Sequence, residues 1–349
     1  MIIGVCGFGS TGSSAISDYL LEYGDYVNVI DDIEFNWVSC PDSLIDLEYH
    51  LFHPHNRTSD SIVSIQRYRE FAKRMSWLLR GLGVLESEIQ KSTEKFLDSI
   101  VDVKWDWYDF TVRHHPLIQR LIDKYIYEYI PRKEVKLGRQ LKNPFTKEVS
   151  LSVNPVNFYE SAQEHVEELL RLMGAQFDKP LILDQPFSGN NPQACFPFFR
   201  DSYAIVADRD PRDNYVFAKT RLLGRNHFMA VNSVYDFIKY FKAIRDNQPY
   251  KENNERVLKV QFEDMVYNYE ETSNRITEFL HFPENRNKKT IFKPEMSINN
   301  TQVWRRFPEF NDEIKIIEKE LAEYLFDFDK YGTPDLSGEM FFGKSPLHK

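Results

Sequence analysis

Glycines and hydroxyl side chains are concentrated near the start of the chain, in Gly7-Phe-Gly-Ser-Thr-Gly-Ser-Ser14. Glycine lets a backbone come close to a phosphate, and backbone N–H groups bind anions, so this composition suits an anion-binding turn. The turn offers the hydroxyls of Ser10, Thr11, Ser13 and Ser14 but no cationic side chain. We therefore expect a phosphate or sulfate group to be held here by N–H and O–H donors.

The residues on either side of this turn predict a strand and a helix. Ile2, Ile3 and Val5 form a short apolar run that is typical of a buried parallel strand. Apolar residues then recur at helical spacing, at Ile16, Tyr19, Leu20 and Tyr23. Gly24 is suited to end that helix. The unpaired N–H groups and the positive end of the helix dipole would then point at the same place.

The glycine spacing is compatible with three kinds of anion site. Gly7-x-Gly9-x-x-Gly12 fits a dinucleotide fingerprint, and Asp31 and Asp32 lie about 20 residues on, where a ribose-binding acid is expected. Gly7-x-x-x-x-Gly12 also fits a nucleotide-binding P-loop, but Ser13 stands in place of its lysine. A hydroxyl-lined loop for a phosphosulfate group fits as well. The turn by itself leaves all three interpretations open.

Possible general bases follow the second predicted strand, 26–30. Glu34 comes just after Asp31 and Asp32, and the ligand crevice of an open α/β sheet lies at the carboxyl ends of its strands. A carboxylate at that place is a candidate base. His53, His55 and His114 are further candidates for the base. The sequence near His53 and His55 contains no third residue that would complete a metal site with them.

A second charged cluster, Arg209-Asp-Pro-Arg-Asp213, follows the predicted strand 203–207 and opens a helix. An arginine at a strand end can hold a phosphate through two parallel hydrogen bonds. The alternative is a salt-bridge cluster at a helix start, with Pro211 in the first turn. The residues of the cluster are compatible with both roles.

Strands and helices alternate towards both ends of the chain, which predicts a parallel sheet flanked by helices. Later strands are expected at 180–184 and 256–262, and a helix from 263 to about 280. Residues 51–155 are mainly helical in pattern, with a basic hairpin expected at 135–153. This stretch also holds an aromatic cluster, for which core packing is favoured over a platform for a sugar ring. Its members are Trp105, Trp107, Tyr108 and Phe110.

Composition narrows the class of protein. The 349 residues carry a formal net charge of −9, which argues against general nucleic-acid binding. No stretch approaches the 18 apolar residues of a membrane-spanning helix. The three scattered cysteines and the absence of a signal-peptide pattern predict a cytoplasmic protein.

Four segments, in chain order, resemble those of sulfotransferases that use 3′-phosphoadenosine 5′-phosphosulfate. The turn around Ser10 to Ser14 is similar to the 5′-phosphosulfate loop, and Arg209-x-Pro-x-Asp213 to the 3′-phosphate site. Residues 257–265, with Phe262-Glu-Asp-Met265, are similar to the family's late strand and the segment that ends it. Trp304-Arg-Arg-Phe307 is similar to the stretch that covers the cofactor. The resemblance covers roughly residues 1–37 and 180–330.

The resemblance implies a P-loop-like α/β fold in a single domain, 1–349, with residues 51–155 as an insertion that binds the acceptor. It implies transfer of a sulfuryl group to a hydroxyl of a carbohydrate or glycolipid, without a metal ion. Glu34 would take the hydroxyl proton, and Arg209 would bind the 3′-phosphate. The other cofactor-binding residues would be Gly9, Ser10, Thr11, Gly12, Ser13, Ser14, Trp304 and Arg305.

The chain departs from the family pattern at three places. Ser10 stands where many members have lysine or arginine, Phe217 where a serine is usual, and 297–299 where Arg-Lys-Gly is common. Lys219, Arg305, Arg306 or a residue of the insertion would have to supply the missing charge. An NAD-dependent oxidoreductase and a non-catalytic binding protein on the same scaffold are the alternative functions.

Overall fold

The computed structural model describes residues 1–30, 34–56, 58–108, 117, 118, 121, 125, 146–221, 229–246, 248–250 and 255–335. The chain divides into two compact units. Unit 1 comprises Met1–Asn36 and Gly174–Lys349, and unit 2 comprises Trp37–Met173. The predicted insertion, 51–155, lies within unit 2.

The strands are β1 (Ile2–Gly7), β2 (Asn28–Ile30), β3 (Val103–Tyr108), β4 (Thr146–Leu151), β5 (Leu181–Asp184), β6 (Ser202–Asp208) and β7 (Val257–Gln261). The helices are α1 (Ser13–Leu21), α2 (Leu44–Phe52), α3 (Ser59–Leu79), α4 (Glu86–Ile100), α5 (Phe158–Leu172), α6 (Pro211–Arg221), α7 (Val234–Arg245), α8 (Phe262–Tyr267), α9 (Tyr269–Leu280), α10 (Pro294–Ser297) and α11 (Asn311–Glu320). Short 3₁₀ turns connect several of them, including Val303–Arg306.

Within the described residues of unit 1, five strands form a parallel sheet in the order β2-β5-β1-β6-β7. The central strand β1 is almost entirely buried and packs with apolar residues of α1 and α9, such as Ile16 and Ile276. A parallel sheet needs cover on both faces, which explains why β1 is a continuous apolar run. The predicted α/β fold, a parallel sheet flanked by helices, is confirmed.

The position of β2 distinguishes two of the predicted loop types. In the usual dinucleotide-binding order, 3-2-1-4-5-6, the second strand lies beside the first. Here β5 lies between β1 and β2, so the sheet's own strands follow the order 2-3-1-4-5. An acid at the end of β2 is therefore one strand further from the β1 turn than a dinucleotide fingerprint requires. The strand order therefore disfavours the dinucleotide interpretation of the turn.

In unit 2, a buried histidine of α5, His165, packs against α3 and α4. Its Nδ1 lies 2.8 Å from Ser92 Oγ and its Nε2 lies 2.8 Å from Tyr68 Oη. The ring also stacks on Phe96 with the centroids 5.1 Å apart. Burial, helped by the charge of Lys95, lowers the pKa of His165 to about 3. The imidazole is therefore neutral and hydrogen-bonded at both nitrogens.

The structure corrects several sequence expectations. The strand predicted near the end of 135–153 exists as β4, but it pairs with β3 in antiparallel register, and residues 135–145 lie outside the described residues. Trp107 is 38% exposed and Trp105 is half-buried. The prediction that this cluster packs in the core is therefore wrong for Trp107. The Tyr108 side chain and Phe110 lie outside the described part.

The helix expected from 263 is in fact two helices, α8 and α9, which meet at Asn268. Among the described residues, no helix combines the length and apolar character that crossing a bilayer requires.

Candidate functional site

The turn between β1 and α1 is curled by residues in the left-handed region. Gly9, Ser10 and Gly12 have φ values of 86°, 54° and 83°. Left-handed residues near one another turn successive N–H groups towards one concave side, which is the form of an anion-binding nest. Gly12 is also the N-cap of α1, and no side chain caps that helix start. The helix N-terminus is therefore open towards a ligand.

The N–H groups of residues 9–14 donate no hydrogen bond to any other described residue. The two residues before them do have partners. Gly7 N–H donates to Gln185 Oε1 at 3.3 Å, and Phe8 N–H donates to Thr11 Oγ1 at 3.3 Å. Because the first N–H groups of a helix lack intrahelical acceptors, a bound anion is a natural partner for this group of donors.

The hydroxyl groups of the turn do not all face the same way. Thr11 is only 2% exposed, and its hydroxyl holds the turn together by accepting from Phe8. Ser13 Oγ accepts from Gln185 Nε2 at 3.1 Å, whereas Ser14 is exposed and Ser10 half-buried. The Thr11 hydroxyl therefore has a structural contact in the turn, and its predicted role in binding the cofactor stays a prediction.

Arg209, just past the end of β6, lies against this turn. Its Nη1 donates to the Ser10 carbonyl at 3.4 Å and its Nη2 to the Asn300 carbonyl. The guanidinium carbon lies 5.5 Å from the Phe217 ring centre and 5.1 Å from that of Phe262. Arg209 is 5% exposed, and its Nε has no hydrogen-bond partner among the described residues. A buried donor is therefore unused beside the anion-binding turn.

The other charged residues of 209–213 hold the structure together. Arg212 donates through Nε and Nη2 to the two carboxylate oxygens of Asp210, at 3.0 and 2.8 Å, and through Nη1 to Glu318 at 3.0 Å. Asp213 accepts from the N–H groups of Gln302 and Trp304 at 2.8 and 3.2 Å. The predicted salt-bridge cluster is thus confirmed for Arg212, while Arg209 is directed at the turn.

A buried carboxylate at the end of β6, Asp208, is paired with two cations. Asp208 is bonded by Arg245 at 2.7 Å and by Lys259 at 3.0 Å. Burial would raise the pKa of Asp208, but these two cations hold it below its ordinary value.

The segment after β7 packs directly on the turn. A Cβ on Gly12 would approach the Phe262 ring to 2.5 Å, so this contact as well as the positive φ requires glycine. Glu263 is fully buried, and its Oε1 accepts from the N–H of Asp210 at 3.1 Å. Burial, together with the nearby Asp210 charge, raises the pKa of Glu263 well above its ordinary value. Burial also raises the pKa of Asp213 to about 6, against the opposing charge of Arg209.

Trp304 and Arg305 lie in the 3₁₀ turn that Asp213 anchors. The Trp304 ring lies 4.9 Å from the Arg212 guanidinium carbon and 4.3 Å from that of Arg305. Arg305 is exposed, and its Nε donates to Gln302 Oε1 at 2.7 Å. Neither residue hydrogen-bonds to the described residues of the β1–α1 turn. Their predicted role as cofactor cover stays a prediction.

The candidate general base, Glu34, is exposed, and its carboxylate accepts from Asn36 Nδ2 at 3.2 Å. The adjacent Phe35 N–H donates to the Asp184 carbonyl at 3.0 Å, which puts Glu34 at the carboxyl end of β5, the neighbour of β1. The rival His53 belongs to unit 2 and stacks on Tyr49 with 5.0 Å between ring centres.

The remaining candidates are His55, Asp31, Asp32 and His114. His55 also belongs to unit 2. Asp31, Asp32 and His114 lie outside the described residues.

Two contacts of the turn were missed in the sequence. Asn214, in the first turn of α6, donates from Nδ2 to the Gly9 carbonyl at 3.1 Å. Gln185, which follows β5, bridges Gly7 and Ser13. The only signals for them in the sequence are their positions. Gln185 directly follows a predicted strand, and Asn214 comes three residues after the helix-starting Pro211.

Lys219, a proposed substitute for the missing loop cation, has other partners. Its Nζ lies 2.7 Å from Glu313 Oε1 and 2.8 Å from Tyr215 Oη. Arg306, another substitute, donates to the Asn299 carbonyl at 3.1 Å. Arg209 therefore hydrogen-bonds to the turn itself, at the Ser10 carbonyl, and the Arg245 guanidinium carbon lies 4.2 Å from the centre of the Phe8 ring.

No family model and no curated protein matches the sequence. Among solved structures, a sulfotransferase from Mycobacterium avium matches with 13% identity and a TM-score of 0.35, over 97% of this chain and 78% of that chain. Because both the identity and the structural overlap are this low, the likeness assigns neither a family nor a function to the chain.

Proposed function

We propose that the protein is a sulfotransferase that uses 3′-phosphoadenosine 5′-phosphosulfate. The sulfuryl group would pass to a hydroxyl of a carbohydrate or glycolipid acceptor, and residues 51–155 would bind that acceptor. The single observation that carries this proposal is the contact between Arg209 and the Ser10 carbonyl. This contact brings the N–H groups of the turn close to the buried Nε of Arg209. A nucleotide with phosphates on both its 3′ and 5′ oxygens needs two such groups of donors, one for each phosphate.

The residues of the site can support each part of the transfer. Glu34 would take the proton of the acceptor hydroxyl as its oxygen bonds to sulfur, and the bond between that sulfur and the 5′-phosphate oxygen would break. The N–H groups from Gly9 to Ser14 would stabilise the negative charge that grows on the departing phosphate. Arg209 would hold the 3′-phosphate, and Asn214 and Gln185 would keep the turn in place.

A non-catalytic nucleotide-binding protein is the second candidate, and one observation favours it. The loop has Ser10 where a cation is usual in sulfotransferases, and Lys219 is held by Glu313 and Tyr215. Among the described residues, the leaving 5′-phosphate would then be met by the N–H and hydroxyl donors of a turn that has no cationic side chain of its own. Such a site would bind the nucleotide but transfer the sulfuryl group slowly. The NAD-dependent alternative is disfavoured by β5 lying between β1 and β2.

Two measurements on the purified full chain test the proposal. Calorimetric titration with adenosine 3′,5′-bisphosphate and with NAD should give saturable binding of the bisphosphate alone; binding of NAD alone would overturn the proposal. A screen of carbohydrate and glycolipid acceptors with radiolabelled sulfate donor should then give a labelled product. Bisphosphate binding with no product from any acceptor would favour the non-catalytic protein.

A further inference from the structure

Phe217 stands in the site where the resemblance predicts a serine. It lies on α6, eight residues after Arg209, and is half-buried. A serine at that position would offer a hydroxyl donor to a phosphate, which phenylalanine cannot do. The ring instead faces the Arg209 guanidinium, whose carbon lies 5.5 Å from the ring centre. Phe217 therefore cannot donate a hydrogen bond to a ligand as a serine would, and it contacts Arg209, the proposed ligand-binding residue, instead.

The surroundings of Arg209 show what that contact does. Two carbonyl acceptors, those of Ser10 and Asn300, take one N–H each from Nη1 and Nη2. A second ring, that of Phe262, lies 5.1 Å from the guanidinium carbon. Among the described residues no carboxylate hydrogen-bonds to Arg209, so its position depends on carbonyl groups and aromatic rings.

A guanidinium held by ring faces keeps its in-plane N–H groups for hydrogen bonds. The Nε of Arg209 is such a group, buried and without a partner in the described part of the chain. Bidentate recognition of a phosphate uses parallel N–H donors on one edge of the guanidinium. Fixing the plane in advance lowers the entropy that binding must remove, since long side chains otherwise lose rotamer freedom on binding.

We infer that Phe217 is a positioning residue that sets the selectivity of the site for a 3′-phosphorylated nucleotide by holding the Arg209 guanidinium. The inference rests on the proposed function, since it takes the 3′-phosphate as the ligand of Arg209. Phe217 itself contributes no donor. Its effect is confined to the phosphate that Arg209 binds and spares the 5′-phosphate at the β1–α1 turn.

The test compares affinities for adenosine 3′,5′-bisphosphate and 5′-AMP in the full chain. In Phe217→Leu the ratio of the two affinities should fall about 3- to 30-fold, the range of a partly buried cation–aromatic contact, while the affinity for 5′-AMP changes less than twofold. Phe217→Tyr keeps the ring and should keep the ratio. Phe217→Met fills the space without a ring and repeats the test should the leucine variant fail to fold.

A matched control removes a ring from an arginine that does not contact the described residues of the turn. The Arg256 guanidinium carbon, just before the start of β7, lies 4.5 Å from the centre of the Phe196 ring, and Phe196→Leu should leave the affinity ratio unchanged. An unchanged affinity ratio in both Phe217→Leu and Phe217→Met would overturn the inference. A loss of affinity for 5′-AMP as large as the loss for the bisphosphate would also overturn it. Failure of the wild-type chain to bind the bisphosphate would instead overturn the proposed function, so the two failures are distinguishable.

Discussion

Unit 1 and unit 2 each bury a polar cluster, but only one cluster is complete. In unit 2, both nitrogens of His165 have hydroxyl partners at 2.8 Å. In unit 1, Arg209 Nε and Glu263 Oε2 have no partner among the described residues. A buried polar atom left without a hydrogen bond costs about 1–3 kcal/mol. A complete cluster therefore serves stability, whereas an incomplete one beside an open helix N-terminus indicates a place that a ligand completes.

The largest expected effect tests the functional side of this comparison. Glu34→Gln removes the proposed base, so sulfuryl transfer should slow by about 10²- to 10⁴-fold, the usual contribution of general base catalysis. Affinity for adenosine 3′,5′-bisphosphate should stay nearly intact, because Glu34 is exposed and contacts Asn36. Steady-state kinetics measures the rate of transfer, and calorimetric titration measures the affinity. Full activity in this variant would exclude Glu34 and direct attention to His53, His55 or His114.

The complete cluster of unit 2 should be broken by removing its centre. His165→Leu leaves the hydroxyls of Ser92 and Tyr68 buried and unpaired, so we expect unit 2 to lose about 2–4 kcal/mol of unfolding free energy, measured by urea denaturation. A triple variant, His165→Phe with Ser92→Ala and Tyr68→Phe, removes all three polar groups and should regain most of that loss. Bisphosphate affinity should not change, and a loss there would contradict the separation of roles.

In the incomplete cluster of unit 1, removal of a polar side chain should instead change the affinity for the nucleotide. Arg209→Ala should weaken adenosine 3′,5′-bisphosphate binding by about 10- to 150-fold, as expected for the loss of hydrogen bonds to a charged group. Binding of 5′-AMP should change far less, and calorimetry measures both ligands. Arg212→Ala is the matched control for charge: it should destabilise the fold, because Asp210 loses its partner, and leave the affinity ratio unchanged. Equal losses of affinity for both nucleotides in Arg209→Ala would show that Arg209 does not bind the 3′-phosphate.

The pH dependence of unit 2 sharpens the comparison further. The pKa of His165 is about 3 in the folded chain, against an ordinary value near 6.5. The unfolded chain therefore binds a proton more readily, and this contribution to stability is complete above pH 6.5 and lost as the pH falls towards 3. Between pH 7 and pH 5 the wild type should lose about 2 kcal/mol more than the triple variant, which has no histidine at 165. Equal losses in urea denaturation at the two pH values would contradict the buried neutral histidine.

Local patterns were enough to predict the elements that carry the candidate site. The apolar run from Ile2 to Val5 and the glycine turn predicted β1, its turn and α1 correctly. The strand before Arg209 was also found, within one residue at each end. These features depend on short-range chemistry: β-branched residues, glycine at left-handed positions, and proline at a helix start.

The contacts that distinguish one side chain from another were not predictable. Arg209 and Arg212 are three residues apart, and contacts distant in sequence distinguish them: Glu318 and the Phe326 carbonyl hold Arg212, whereas Arg209 lies against the turn. The hydrogen bond from the Phe8 N–H to the Thr11 hydroxyl was likewise not predictable from the sequence. Gln185 reaches the turn because β5 pairs with β1, and strand order is a long-range property that no local pattern contains.

The exchange of the backbone amide protons of residues 9–14 tests the central claim most directly. These N–H groups have no acceptor among the described residues, and we hold that a doubly phosphorylated adenosine supplies it. Hydrogen exchange followed by mass spectrometry should show a peptide spanning this turn slowing by about tenfold or more with adenosine 3′,5′-bisphosphate, while peptides around His165 stay unchanged. Saturating bisphosphate with no change in exchange at the turn would contradict the account.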